Sequence, residues 1–220
     1  MVSKLITDHY MFGESKSSPR DRAITKITIH HMAGTMSGLE CAKYHYNSDI
    51  DASANYYIGN TGDICAGVTE ERRAWTSSNR DNDMAAITIE VSNSGGAPEW
   101  KISPETYKSL IRLVVDLCNR YHIKPHYTGT PSGSITIHSM FTATSCPGPY
   151  LTNLIKSGRF EVDVKEALRQ MEGKAEDKSE AKSEDKLYRV QVGAFKTKEN
   201  AEKLKKELQV KGYQAIIKLS

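Results

Sequence analysis

The chain has 220 residues, 38% hydrophobic and 26% charged, with a formal net charge of +3. That supports one good-sized domain and something smaller, with part of the chain strongly solvated. The mild charge excludes a case for nucleic acid, and no run of about eighteen apolar residues exists to span a membrane.

Residues 1–22 are mixed and polar and read as an irregular arm. They contain no apolar core of signal-peptide length, so the expectation is synthesis in a host cytoplasm and action after release. Residues 24–31, I-T-K-I-T-I-H-H, alternate like a strand. Residues 38–47 fit a short helix. Residues 54–58 and 64–68 read as strands joined by a hairpin turn at 60–63, N-T-G-D. Residues 70–83 are polar and aperiodic, a long loop carrying Trp75, and such loops are usually functional or disordered. Residues 86–91, A-I-T-I-E-V, form another strand. Residues 103–123 form the best helix, with Ser103 at the N-cap, Pro104 at the first helical position and one apolar stripe. A further strand ends at His138. Short helices are expected at 151–157 and 164–171.

Residues 173–186 hold nothing larger and more apolar than alanine and read as a solvated linker with partial helix at most. Residues 187–220 then restart a β-α-β pattern: strand 187–195, amphipathic helix 198–211, strand 213–219. A unit this short lies below the ~40 residues that usually fold without staples, so it should need a partner. The expected organisation is a catalytic domain over 1–172, a linker over 173–186 and a small unit over 187–220.

Three strands share one pattern: Ile27-Thr28-Ile29-His30, Ile87-Thr88-Ile89-Glu90 and Ile135-Thr136-Ile137-His138. In each, the isoleucines face one way and the threonine plus the final His or Glu face the other. Placed in one sheet, His30, Glu90 and His138 converge at one end. Eight residues after His138 comes Cys146, followed by Pro147 and Gly148. Two imidazoles and a thiolate suit zinc and leave its fourth position open, the composition of a catalytic site. Glu90 could accept a proton from water acidified there. Singly, each residue has a plainer reading: a satisfied strand-end histidine, a salt-bridging carboxylate, a buried thiol. Their joint occurrence in one repeated pattern favours the site. His31 falls on the isoleucine side and reads as packed or supporting. Cys41, Cys65 and Cys118, without a CxxC, read as buried apolar side chains rather than a disulfide framework.

Residues 27–34 (I-T-I-H-H-M-A-G), 54–64 (A-N-Y-Y-I-G-N-T-G-D-I), 73–83 (R-A-W-T-S-S-N-R-D-N-D), 86–93 (A-I-T-I-E-V-S-N) and 127–151, with its H-x7-C-P-G arrangement, carry a resemblance. The chain resembles the zinc-dependent N-acetylmuramoyl-L-alanine amidases of phage endolysins and bacterial autolysins, whose fold is shared with peptidoglycan recognition proteins. The resemblance implies an α/β fold with a mixed central sheet flanked by helices. It implies Zn2+ held by His30, His138 and Cys146, and Glu90 as catalytic carboxylate. Many members carry a lysine two residues before the ligand cysteine to stabilise the oxyanion; here it is Thr144, a neutral hydroxyl. The segment often written S-x-H-Y is Ser53-Ala54-Asn55-Tyr56, so no His or Tyr role transfers there. Asn55, Trp75, Thr76 and Asn79 are the candidate substrate-groove residues. The C-terminal stretch, with V-Q-V-G-A-F and N-A-E-x-L, resembles half of a SPOR peptidoglycan-binding domain. It implies wall targeting, and a homodimer that completes the sheet is the expectation. The implied activity is a peptidoglycan hydrolase cutting between N-acetylmuramic acid and L-alanine. A zinc peptidase acting on stem peptides and a non-catalytic binding protein are the alternatives.

Overall fold

The three I-T-I strands lie side by side in the computed structural model, which describes residues 1–183 and 191–218, with side chains over 1–171 and 191–218. They are β3 (Lys26–His31), β7 (Ala86–Val91) and β8 (Ile135–Ile137). All three run parallel, and their isoleucines are in register: Ile27 opposite Ile87 and Ile135, Ile29 opposite Ile89 and Ile137. Beyond β7 the sheet continues through β4 (Tyr56–Ile58), β5 (Ile64–Ala66) and β1 (Asp8–His9), in the order β1-β5-β4-β7-β3-β8. The β4–β5 hairpin is antiparallel, which makes the sheet mixed.

The two faces have different chemistry. The isoleucine face is fully buried and packs with Leu110, Leu113, Val114 and Leu117 of helix α3 (Pro104–Tyr121), joined by Leu151, Ile155, Phe160 and Val164. Ser103 caps α3 through Thr106 N–H, and Pro104 sits in its first turn, as the sequence predicts. The opposite face carries the threonines. Thr28 and Thr136 hydroxyls meet at 2.9 Å, and Thr88 pairs with Thr76 at 2.8 Å. Buried hydroxyls without partners would be costly, so this layer satisfies itself. Helix α1 (Gly38–Asn47) covers the β4–β5 part of that face, where Tyr57, Cys41, Ala42, Cys65 and Phe12 form a second apolar cluster. A capping box between Ser37 and Glu40 starts α1. Gly38 is needed there: a Cβ would fall 2.4 Å from Tyr57 O.

Two segments are more ordered than expected. The arm at 1–22 contains β1, which extends the main sheet, and β2 (Ser17–Pro19), which pairs with β6 (Arg72–Ala74). The loop at 70–83 thus holds β6 and then enters helix α2 (Arg80–Ala85). The buried Asp83 carboxylate holds this segment by accepting from Thr76 N, Ser77 N and Ser77 Oγ. Arg20 spends its guanidinium donors on the backbone oxygens of Glu70, Asp83, Met84 and Ala86. Such tertiary satisfaction has no local period to read.

Helix α4 (Gly148–Lys156) follows the cysteine, and α5 runs from Arg159 to Ser183. The stretch 173–183, expected as linker with partial helix, is therefore continuous helix. Its Ala, Glu and Lys are strong helix formers, which favours the turn. The chain divides into units Met1–Ala175 and Glu176–Ser220. In the second, α6 (Lys198–Val210) forms as predicted. Residues 191–195 and 213–218, expected within strands, carry no strand, and 187–190 and 219 lie outside the described residues. A strand exists only with a partner for its N–H and C=O groups, and none pairs with these segments among the described residues.

Candidate metal centre and active site

The end of the β7-β3-β8 triplet brings the predicted ligands together. Buried His30, the last but one residue of β3, stands directly opposite Glu90 of β7. His138 leaves β8 in a single 3-10 turn, and the following loop returns Cys146. One donor atom from each of His30, His138 and Cys146 lies within 4.8 Å of the others. The two imidazole rings sit 4.5 Å apart between centroids. Among the described residues this is the one cluster of metal-ligating side chains.

The chemistry of the cluster fits a cation. Nε2 of His30 and Nε2 of His138 are buried without a hydrogen-bond partner, which a folded protein rarely tolerates. Burial, then the neighbouring His138, His31 and His45, holds His30 well below the usual imidazole range. Burial lowers His138 as well. Both are therefore neutral at physiological pH, the form that ligates. Burial, with Glu90 nearby, pushes the Cys146 thiol far up. It becomes a thiolate only beside a compensating cation. The His31 N–H points at Cys146 Sγ, 3.4 Å away, so His31 supports the ligand through its backbone. Its ring packs edge-on to Trp100, and a Cβ at Gly148, which has φ 82°, would fall 3.1 Å from that ring. The glycine of C-P-G thus gives the loop room to close over His31.

Glu90 is 8% exposed, and burial raises its carboxyl to about 8. Its Oε1 is 3.9 Å from His30 Nδ1, and its Oε2 has no partner. It faces a cavity of about 320 Å³ that also meets His138, Cys146, Thr144, His45 and Ser53. Thr144 is exposed there. Its Oγ1 accepts from Cys146 N–H at 3.2 Å, which leaves the hydroxyl proton free to donate.

The groove candidates separate. Thr76 lines the same cavity, but its hydroxyl is committed to Ser53 O and Thr88 Oγ1. Trp75 and Asn79 line a neighbouring cavity of about 330 Å³ with Arg73 and Arg80. The Arg73 guanidinium lies 5.8 Å from the Trp75 ring centre, and Trp75 Nε1 is unpartnered. Asn55 is a correction. It is fully buried, donates to Val68 O and Thr69 O, and accepts from Thr88 N, so it braces the start of β4 against β7 and lines neither of these two cavities. His45 and Ser53 were not singled out by sequence. His45 sits one turn after the buried Cys41 and Ala42, on the packed face of α1, where a lone histidine reads as an ordinary satisfied side chain.

The profile of the N-acetylmuramoyl-L-alanine amidase family matches residues 20–149. That of the SPOR domain matches residues 161–219, beginning well before the expected C-terminal unit. No curated protein sequence matches the chain significantly. Among solved structures the fold is similar to that of PlyL, at TM-score 0.55 and 17% identity, covering 72% of this chain and 94% of that one. It is similar to the PlyG catalytic domain at 0.57 and 16%, covering 73% and 94%. It is similar to a mutant endolysin from Bacillus subtilis at 0.54 and 16%, covering 74% and 99%.

Proposed function

The chain belongs to the N-acetylmuramoyl-L-alanine amidase family and is a peptidoglycan hydrolase, and on that premise we propose that Glu90 carries the proton transfers of amide hydrolysis beside a zinc ion held by His30, His138 and Cys146. The observation that carries this reading is the convergence of those three donors, two of them orphaned nitrogens, next to a buried carboxylate with a free oxygen. Zinc bound there supplies Lewis-acid polarisation of the scissile carbonyl and acidifies water.

The residues of the chain do the rest. Glu90 sits in a low-dielectric pocket, and a carboxyl raised to about 8 is a strong enough base to take a proton from water and an acid able to return it to the departing amine. Thr144 directs its free hydroxyl proton at the oxygen that gains charge. A neutral donor stabilises that charge less than an ammonium would. Trp75 and Asn79, with the Arg73–Trp75 stack, form a wall for the bound strand or its peptide. The threonine layer beneath fixes the floor.

Peptidoglycan is the partner that both domain matches imply. We further propose that the C-terminal unit pairs with a second copy. Val192, Phe195, Tyr213, Ile216 and Ile217 are exposed at 63%, 47%, 64%, 76% and 41%, an apolar surface that self-association would cover. Sedimentation equilibrium tests this, and a strict monomer at all concentrations rejects it.

Mass spectrometry of digested walls tests the activity. Free stem peptides beginning with L-alanine are the expected product. Shortened stems still attached to the glycan would instead indicate a peptidase.

A further inference from the structure

One polar side chain in the catalytic cavity is held in a defined state and has no role in the chemistry above. His45 lies on α1 and reaches the cavity from the β4 side, across from the Thr144–Cys146 loop at the β8 edge. Its Nδ1 is 3.1 Å from the hydroxyl of Tyr57, and that hydroxyl also accepts Ala54 N–H at 2.8 Å. Tyr57 is fully buried. Its one proton needs an acceptor, and His45 Nδ1 is the acceptor within reach, so Tyr57 donates to Nδ1. That bond leaves the ring proton on Nε2, which has no partner among the described residues. Burial, then the nearby Lys16, lowers His45 to about 4, so the ring stays neutral. Lys16 also binds the backbone oxygens of His45 and Ser48, fixing the end of α1.

The sheet register says where this donor stands. Tyr57 is paired with Glu90, and Glu90 with His30, so the three are abreast on one face. Strands lie ~4.8 Å apart, which puts Tyr57 ~10 Å from His30 with Glu90 between them. His45, above Tyr57, therefore addresses a part of the substrate beyond Glu90 from the metal centre.

We propose that His45 is a substrate-contacting residue whose Nε2–H donates a hydrogen bond to a carbonyl oxygen of the peptidoglycan substrate on the β4 side of Glu90, a proposal that rests on the amidase reading. Amide carbonyls occur in both the stem peptide and the acetamido group of the sugar, and either offers the same acceptor.

The test uses the zinc-loaded full chain. Histidine 15N NMR at neutral pH should find the His45 proton on Nε2; a proton on Nδ1 would overturn the proposal. Binding of N-acetylmuramyl-L-alanyl-D-isoglutamine is then measured on the Glu90→Gln protein with and without His45→Phe. Loss of one hydrogen bond to the ligand should weaken binding by ~10-fold, with zinc content unchanged and the protein still fully folded at the assay temperature, although the melting temperature falls because Tyr57 loses its acceptor. His45→Gln, which keeps a donor, should stay within ~3-fold. Equal affinity of the His45→Phe and parent proteins would overturn the contact. Repeating the measurement with the de-N-acetylated probe assigns the acceptor. If the dependence on His45 disappears, it is the acetamido carbonyl; if it persists, it is a peptide carbonyl. Wall digests that yield no L-alanine-terminated stems would reject the amidase reading by themselves, while a retained His45-dependent affinity would still support the contact.

Discussion

His30 and Glu90 stand opposite each other on neighbouring parallel strands, with Nδ1 of one 3.9 Å from Oε1 of the other. The pairing is set by backbone register, so the candidate base and a candidate ligand keep their spacing without any loop to position them. Function and metal binding should nevertheless separate by mutation. Glu90→Gln should retain zinc and lose activity by ~10²–10⁴-fold, the range for a removed general base. Cys146→Ser should lose zinc and activity together, by at least the ~10–100-fold that even an outer-shell change costs. Metal analysis beside a wall-lysis assay distinguishes the two.

Glu90 should also shape the stability of the metal-free protein. Its folded value, about 8, lies above that of an unfolded carboxyl. A group raised by folding stabilises at low pH and loses that contribution as pH climbs to the folded value. His30, His31, His45 and His138 are lowered by folding, so they add stability as pH rises, and part of that gain comes above pH ~6.5, where the unfolded imidazoles are still half charged. Between pH ~6.5 and ~8 this gain opposes the falling limb of Glu90, and removing Glu90 isolates the latter. In chelator-treated protein the melting temperature of Glu90→Gln should therefore rise relative to that of the parent between pH ~6.5 and ~8.

Gly38→Ala should destabilise the catalytic domain. Its Cβ would meet the Tyr57 carbonyl oxygen at 2.4 Å, and backbone cannot swing aside as a side chain can. Overpacking of this kind costs ~1–3 kcal/mol. Urea denaturation should give a lower midpoint with an unchanged slope, and because α1 carries His45 the substrate affinity should fall as well.

Glu70→Gln tests a structural charge. Glu70 is fully buried and accepts both Arg120 nitrogens and Tyr121 Oη at 2.6 Å each, with Tyr56 Oη as a fourth donor. Burial raises its carboxyl, but the bonds from Arg120, Tyr121 and Tyr56 outweigh burial and hold it below the usual range. The stability it gives is complete above the unfolded carboxyl value and disappears as pH falls through the lower, folded one. The substitution should cost roughly 3 kcal/mol at neutral pH. The deficit should shrink on acidification, as followed by thermal melts from pH 7 downward.

The central sheet was legible because β3, β7 and β8 each alternate with period two, and α3 because Ser103, Pro104 and its apolar stripe agree. The candidate ligands His30 and His138 were legible because they end two of those patterns, and Cys146 because it follows His138 in the H-x7-C-P-G spacing. Other parts rest on contacts between distant residues. Arg20 clasps carbonyls some fifty to sixty-six positions away, and Asp83 organises a loop that composition alone reads as shapeless. Asn55 drew attention as a polar residue in a matching stretch, but polarity does not tell a groove from a buried brace. His45 was missed for a related reason. Its meaning comes from Tyr57, and the alignment of Tyr57 with Glu90 exists only once β4 is laid against β7.

The shared register of the I-T-I strands also links catalytic competence to correct folding. Sliding one of these strands by a single residue would turn its isoleucines outward and its His or Glu into the oil. In β3 or β8 the same error that spoils the core also dismantles the candidate donor cluster of His30, His138 and Cys146. On the zinc reading, metal uptake would thus be a proofreading signal: bound metal would report that β3 and β8 have found their correct register.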